Sequence, residues 1–355
     1  MSLNKRLFTG GPLPGATLEN AFQTVLWTGN GSTQSISGVG FQPDLVWIKH
    51  RDGTNPHGIW DSTRGAGPFV QSHSTDAQTG NSGNLLGSFD SDGFQVNRNY
   101  LSYTAHDNTN GNGNPEYVGW CWRANGGSTS TNTDGSINST VQANTDAGFS
   151  IIQYTGSGNA SSTVGHGLTG IPRLILAKST TWTNSFLVYM HDGTDYWHGY
   201  LNDNGALNKN SSNTQVGTSG DLPTSSVIET SHIGTNNSSQ TFMMWAWEPI
   251  PGYSKFGSYT GNGSTTGPTV TLGFAPGLLI LRKVGGDRWI MADNKRDTSN
   301  PNDKFLDAQD THQESTLGLT GGVDFLSDGF QLKTTDGGGN ANNEEYIYLA
   351  WREAS

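Results

Sequence analysis

Across the 355 residues one composite segment occurs three times. The third copy opens on Tyr259-Thr260-Gly261-Asn262-Gly263-Ser264, passes through Gly273-Phe274-Ala275-Pro276 and enters the apolar run Leu278-Leu279-Ile280-Leu281-Arg282-Lys283. The first has Trp27-Thr28-Gly29-Asn30-Gly31-Ser32, Gly40-Phe41-Gln42-Pro43 and Leu45-Val46-Trp47-Ile48-Lys49. The second has Tyr154-Thr155-Gly156-Ser157-Gly158, Gly167-Leu168, Ile171-Pro172 and Leu174-Ile175-Leu176-Ala177-Lys178. An aromatic, a Gly-rich turn, a proline and a strand ending near a lysine is too long a match for chance, so the chain is a tandem repeat of about 100 residues per unit.

Each unit also ends alike. Val118, Trp120 and Trp122 align with Met243, Trp245 and Trp247 and with Ile347, Leu349 and Trp351. Their alternates are Tyr117, Gly119 and Cys121, then Phe242, Met244 and Ala246, then Tyr346, Tyr348 and Ala350. With a side-chain period of two, each series shares one face, and a strand apolar on both faces is central in its sheet. Further strands are expected at Gly58–Asp61, around the Ser91-Asp92-Gly93 turn, and at 150–154 and 186–190.

Composition restricts the fold class. Only 32% of residues are hydrophobic while 49 are Gly, which suits short strands joined by many turns and leaves little for long helices. The expectation is all-β: three tandem β-sandwich modules of jelly-roll or lectin-like type at 22–124, 148–250 and 251–355. A short N-terminal arm, 1–21, precedes them. A Gly/Ser/Thr/Asn-rich linker, 125–147, separates the first two. Modules two and three are joined by Ile250-Pro251-Gly252 and should be closely coupled, with the first apart.

A net charge of −11 argues against nucleic-acid binding, which needs clustered Lys and Arg. No apolar run is long enough to span a membrane, and Met1 to Gly15 lacks the apolar core of a signal peptide. Cys121, the lone cysteine, sits in the apolar Trp120-Cys121-Trp122 and reads as a small core residue.

Chemistry is sparse. Asp90-Ser91-Asp92-Gly93 and Ser327-Asp328-Gly329 lack the later ligands of a calcium loop and read as turns. Gly29-Asn30-Gly31 and Gly261-Asn262-Gly263 precede strands, not the helix a phosphate loop needs. The nine histidines are scattered singly, without the paired spacings of zinc sites, and read as solvated. Neither a catalytic residue nor a cofactor or metal is expected. With 11 Trp and 11 Tyr in so polar a chain, most aromatics should be core. Trp182, Tyr196, Trp197 and Tyr200, in polar surroundings, are the candidates for a glycan or partner contact.

Gly252 to Gly263, Asp324 to Phe330 and the closing Tyr346-Ile347-Tyr348-Leu349-Ala350-Trp351-Arg352-Glu353 resemble a repeated module of tailed-bacteriophage virion proteins, especially those of marine phages. The resemblance covers nearly everything after residue 21 and brings no catalytic or ligand residue with it. It implies a non-enzymatic structural protein on the virion surface: a tail fibre, a tail appendage or a capsid decoration. Such a protein would be made in the host cytoplasm, contact other virion proteins through the N-terminal arm, contribute to host-surface attachment through glycans, and form a homo-oligomer, with a trimer as one form. The competing classes are a free carbohydrate-binding lectin and a glycan-degrading enzyme.

Overall fold

The computed structural model describes residues 20–79, 85–97, 109–211, 216, 222–230, 233–315 and 319–354. The N-terminal arm up to residue 19, His106 and His232 lie outside them. The fold is all-β. Module one comprises β1 (Phe22–Thr28), β2 (Gln34–Ser37), β3 (Leu45–His50), β4 (Gly58–Asp61), β5 (Gly65–Val70), β6 (Leu86–Asp90), β7 (Gly93–Val96) and β8 (Glu116–Trp122). Its larger sheet runs β1-β8-β3-β4-β5 and its smaller one β2-β7-β6, with the antiparallel register placing Phe22 and Leu45 on either side of Trp122. The interleaving β1-β8-β3 against β2-β7 is of jelly-roll kind; β3, β4 and β5 then continue as a meander in the larger sheet.

The segment 125–147 is no bare linker. It supplies β9 (Ser130–Asn132) and β10 (Ser139–Asn144), and the whole of β10 pairs with β11 (Phe149–Thr155). Module two continues with β12 (Ser162–Gly165), β13 (Leu174–Ser179), β14 (Leu187–His191), β15 (Tyr196–Tyr200), β16 (Asn208–Lys209), β17 (Val227–Thr230), the helical turn Ile233–Asn236 and β18 (Thr241–Trp247). Its main sheet has the order β16-β15-β14-β13-β18-β11-β10-β9, with β12-β17 opposite. The polar segment orders because backbone pairing, together with Val141 and the buried Gln142 side chain, replaces the apolar content it lacks. Gln142 donates to Ser62 Oγ at 3.0 Å and Thr63 Oγ1 at 2.7 Å in module one.

Module three repeats module one: β19 (Ser254–Thr260), β20 (Thr269–Thr271), β21 (Leu278–Lys283), β22 (Trp289–Asp293), β23 (Leu306–Asp307), β24 (Val323–Leu326), β25 (Gly329–Leu332) and β26 (Glu345–Trp351). The sheets are β19-β26-β21-β22-β23 and β20-β25-β24.

The two faces of the closing strands separate as their period demands. Tyr117 and Cys121, Phe242 and Met244, and Tyr346 and Tyr348 fill three private cores between the large and small sheet of each module. Val118, Trp120 and Trp122, Met243, Trp245 and Trp247, and Ile347, Leu349 and Trp351 all enter one core common to the three modules. At its centre the indoles of Trp122, Trp247 and Trp351 form a closed triangle with ring centroids 5.9, 5.7 and 5.5 Å apart, each pair edge to face. Such pairs contribute about 0.5–1.5 kcal/mol each beyond the area they bury. The first module therefore does not sit apart; it is one third of a ring.

Polar contacts close the ring in one rotational sense. At the end of the inward face, β3, β13 and β21 place Lys49, Lys178 and Arg282 at equivalent positions, all buried. Lys49 Nζ donates to Thr311 O of module three at 3.3 Å, and Lys178 Nζ to Thr75 O of module one at 2.8 Å. Arg282 Nη2 donates to Gly205 O of module two. Burial lowers all three, Lys49 to about 7, Lys178 to about 8 and Arg282 to about 10.

The repeated signature now has a physical cause. Trp27 stacks on Tyr117, Tyr154 on Phe242 and Tyr259 on Tyr346, at 5.3, 5.5 and 5.1 Å, so the opening aromatic belongs to each private core. The turn that follows is held by a buried asparagine: the Asn30, Ser157 and Asn262 N–H groups donate to Oδ1 of Asn110, Asn236 and Asn340, each at 2.8 Å. Within the turn the two glycines serve different ends. A Cβ on Gly261 would lie 2.2 Å from Ala341 O, whereas Gly263 has φ +65°, the left-handed region.

Candidate functional site

The four aromatic candidates are not gathered into one surface. Trp182 is half-buried in the β13–β14 connection, its N–H donating to Ser179 Oγ at 3.1 Å. The other three lie on β15 and alternate. Tyr196 and Tyr200 pack partly buried against the private core of module two, Tyr196 stacked on Tyr189. Trp197 points the opposite way and is 1% exposed in the common core, with the Lys209 ammonium over its ring at 5.3 Å. Trp197 offers no face to a glycan. Its polar neighbours in sequence are the strand's other face and the turns at its ends.

The histidines need a similar correction: His57, His166, His191 and His198 are buried. Burial favours the neutral ring at His57, His166 and His191. His57 Nδ1 accepts the Trp47 indole N–H at 2.8 Å, and His191 Nε2 lies 3.1 Å from Pro172 O. Burial lowers His191 to about 4 and holds His57 well below the usual imidazole range.

The ring's most chemically loaded feature lies where module three meets module one. From the end of β23 the chain runs Asp307-Ala308-Gln309-Asp310-Thr311-His312 and is clamped to module one. The Glu314 carboxylate takes two hydrogen bonds from Arg51 at 3.1 Å and one from Arg296 Nη1 at 3.1 Å, and the Glu314 N–H donates to Arg51 O at 2.6 Å. Beside this clamp is a cavity of about 350 Å³, lined by Thr54 of module one and by Arg288, Phe305, Asp307, His312 and Glu314 of module three, among others. One ligand atom from each of Asp307, Asp310 and His312 lies within 4.8 Å of the others.

The three differ in freedom. Asp307 is 8% exposed; its Oδ2 meets Arg288 Nη1 at 3.3 Å, while its buried Oδ1 has no hydrogen-bond partner. Burial raises this carboxyl to about 6, with Arg288 opposing and Asp310 adding to the rise. Asp310 accepts the His312 N–H on Oδ1 at 2.8 Å and lies 2.9 Å from His312 Nδ1 through Oδ2. The His312 side chain is 74% exposed. Reading histidines only for pairs passes over this cluster, although its D-x-x-D-x-H spacing was visible.

A second concavity, about 210 Å³, is formed by the β22–β23 connection and Phe325. That connection is longer than its counterpart between β4 and β5. Asn294, Asp297, Ser299, Asn300 and Asn302 line it, and Oδ1 of both Asn294 and Asn302 is buried without a partner.

A family model matches residues 19–355, the whole ring. The chain belongs to that family, described as a domain of unknown function, DUF7483. The DUF7483 match takes in all three modules together with β9 and β10. No curated protein and no solved structure matches the chain.

Proposed function

We propose that this protein is a non-enzymatic structural component on the exterior of a phage particle, a compact appendage that contributes to host-surface attachment. The observation that carries this reading is the closed ring of three like modules. A single chain that completes its own threefold core needs no sister chain to bury the Trp122–Trp247–Trp351 triangle, and can seat as a rigid block at one position of a larger assembly. The resemblance of Gly252 to Gly263 and of the closing strand to phage virion modules supports the location. Attachment is supported by the concavity lined by Asn294, Asp297, Ser299, Asn300 and Phe325, where polar side chains and an aromatic ring are the kinds of group that sugar hydroxyls and a sugar face require.

The test is quantitative mass spectrometry of purified particles whose genome encodes the chain, with and without residues 1–19. Ala21 and Phe22 are already core residues, so a longer deletion would report on folding. A fixed copy number that falls on truncation supports the reading, including the anchoring arm. Absence of the intact chain from particles, with binding to a glycan array as an isolated protein, would favour the free lectin instead.

A further inference from the structure

We infer that Asp307, Asp310 and His312 form a binding site for one divalent transition-type cation, of the manganese or zinc class, at the seam between module three and module one. Two carboxylates and one imidazole make a mixed oxygen and nitrogen set, which suits such ions better than calcium, whose sites are all oxygen. The geometry is close to what an ion needs. Ligands on opposite sides of a metal with bonds of about 2.1 Å lie about 4 Å apart, and the three atoms here fall within 4.8 Å. Contraction would come from His312, the exposed member.

Independent of the cluster's composition, Asp307 Oδ1 is buried, without a donor, and belongs to a side chain lining the cavity. A buried carboxylate oxygen left unpaired is costly, and Arg288 reaches only Oδ2. A cation held by the three side chains would supply the positive charge that this oxygen lacks. On binding, the ion takes the place of any proton between His312 Nδ1 and Asp310 Oδ2, and that proton leaves to solvent.

Comparison among the modules points the same way. The β5 end of module one matches the β23 end of module three: Phe69 bridges Thr79 as Phe305 bridges Ser315, and the Thr75 and Thr311 carbonyls receive the equivalent lysines. At the positions of Asp307, Asp310 and His312, module one has Gln71, Ser74 and Asp76. The fold therefore does not demand this ligand set. An ion here would tie the chain at the seam clamped by Glu314, and would do so whether or not the protein belongs to a virion.

The experiment is isothermal titration of the tag-free, chelator-treated full chain with MnCl2, ZnCl2 and CaCl2, with electron paramagnetic resonance of Mn2+ as a second readout. Expected are one Mn2+ or Zn2+ per chain, at least tenfold weaker Ca2+ binding, and at least tenfold loss of Mn2+ affinity in both His312→Ala and Asp310→Asn. His312 is exposed, so His312→Ala should keep the parent's circular dichroism and thermal midpoint, separating lost binding from lost folding. No stoichiometric binding of either ion, binding that both variants retain, or Ca2+ binding as tight as Mn2+ would overturn the assignment.

Discussion

Trp120 of module one donates its indole N–H to Asp293 Oδ2 of module three at 3.1 Å, and the same carboxylate oxygen holds Arg296 Nε at 2.5 Å. The Arg296 guanidinium in turn lies over the Trp120 ring at 5.6 Å. One step around the ring, Asp61 holds Arg64 at 2.6 Å, and Arg64 lies over Trp245 at 5.6 Å. At the third seam the motif is gone from both sides together: Met190 stands where the aspartate would be, and Leu349 where the tryptophan would be. Asp293→Ala should therefore cost about 3–5 kcal/mol, because it strips a buried guanidinium of its nearer counter-charge and leaves only Glu314. Urea unfolding followed by tryptophan fluorescence would measure it. A loss under 1 kcal/mol would mean that Arg296 is satisfied by Glu314 and Met291 O alone.

The shared core makes unfolding a property of the ring. Trp247→Ala would remove one side of the indole triangle and open a cavity in a core that now leaves room for about one water, about 20 Å³. The expected loss is about 3–5 kcal/mol, spread over all three modules. Differential scanning calorimetry should show one transition in parent and variant. Three separable transitions would show that the private cores hold the modules independently.

The repeat and the two faces of β8, β18 and β26 were legible because period two places every second residue on one face whatever the tertiary context. That the inward faces meet one another was not, since Trp122, Trp247 and Trp351 look identical whether each is buried in its own module or against its copies. Asn110, Asn236 and Asn340 escaped notice for a different reason: a lone asparagine in Gly/Asn-rich sequence has no periodicity, and its role appears only when the turn it binds is brought beside it. Trp197 was misplaced by judging it from its polar neighbours. The alternation Tyr196, Trp197, His198 on a strand sets Trp197 on the face opposite its two neighbours, and only the sheet order decides which face meets the common core. The segment carrying β9 and β10 is polar because its pairing is done by backbone, which leaves little trace in composition.

Acid should weaken the protein through its buried histidines, against the opposite contribution of the Asp307 carboxyl, whose folded value is raised to about 6. His191 is held neutral, its folded pKa lowered to about 4 by burial, with Arg173 lowering it further and Asp192 and the Pro172 carbonyl opposing. Since the folded value lies below the unfolded one near 6.5, the unfolded chain binds the extra proton. The contribution is complete above about pH 6.5 and is lost as pH falls toward 4. Between pH 7 and pH 5 this amounts to about 2 kcal/mol for His191, and His57 acts in the same direction. Chemical denaturation at the two pH values should show the loss, and His191→Gln should reduce it. An unchanged pH dependence in that variant would place the acid sensitivity elsewhere.

The turn of the repeat offers a paired test of two kinds of glycine. Gly261→Ala would press a methyl group to 2.2 Å from the Ala341 carbonyl, backbone that is fixed by the Asn340 hydrogen bonds and by the Ala341 N–H donating to Tyr346 OH at 2.8 Å. Gly273→Ala, at φ +90° with no atom within 4 Å of the added carbon, would bear only the strain of a left-handed backbone, about 1 kcal/mol. The first should therefore cost more than the second, by about 1–3 kcal/mol in urea unfolding. Asn340→Ala should fall with Gly261→Ala, because it leaves the Asn262 N–H and the carbonyls of Ser264 and Thr334 without their buried partner. Equal costs for the two glycine variants would mean that the turn is held by backbone conformation alone, and that the asparagine behind it is a spectator.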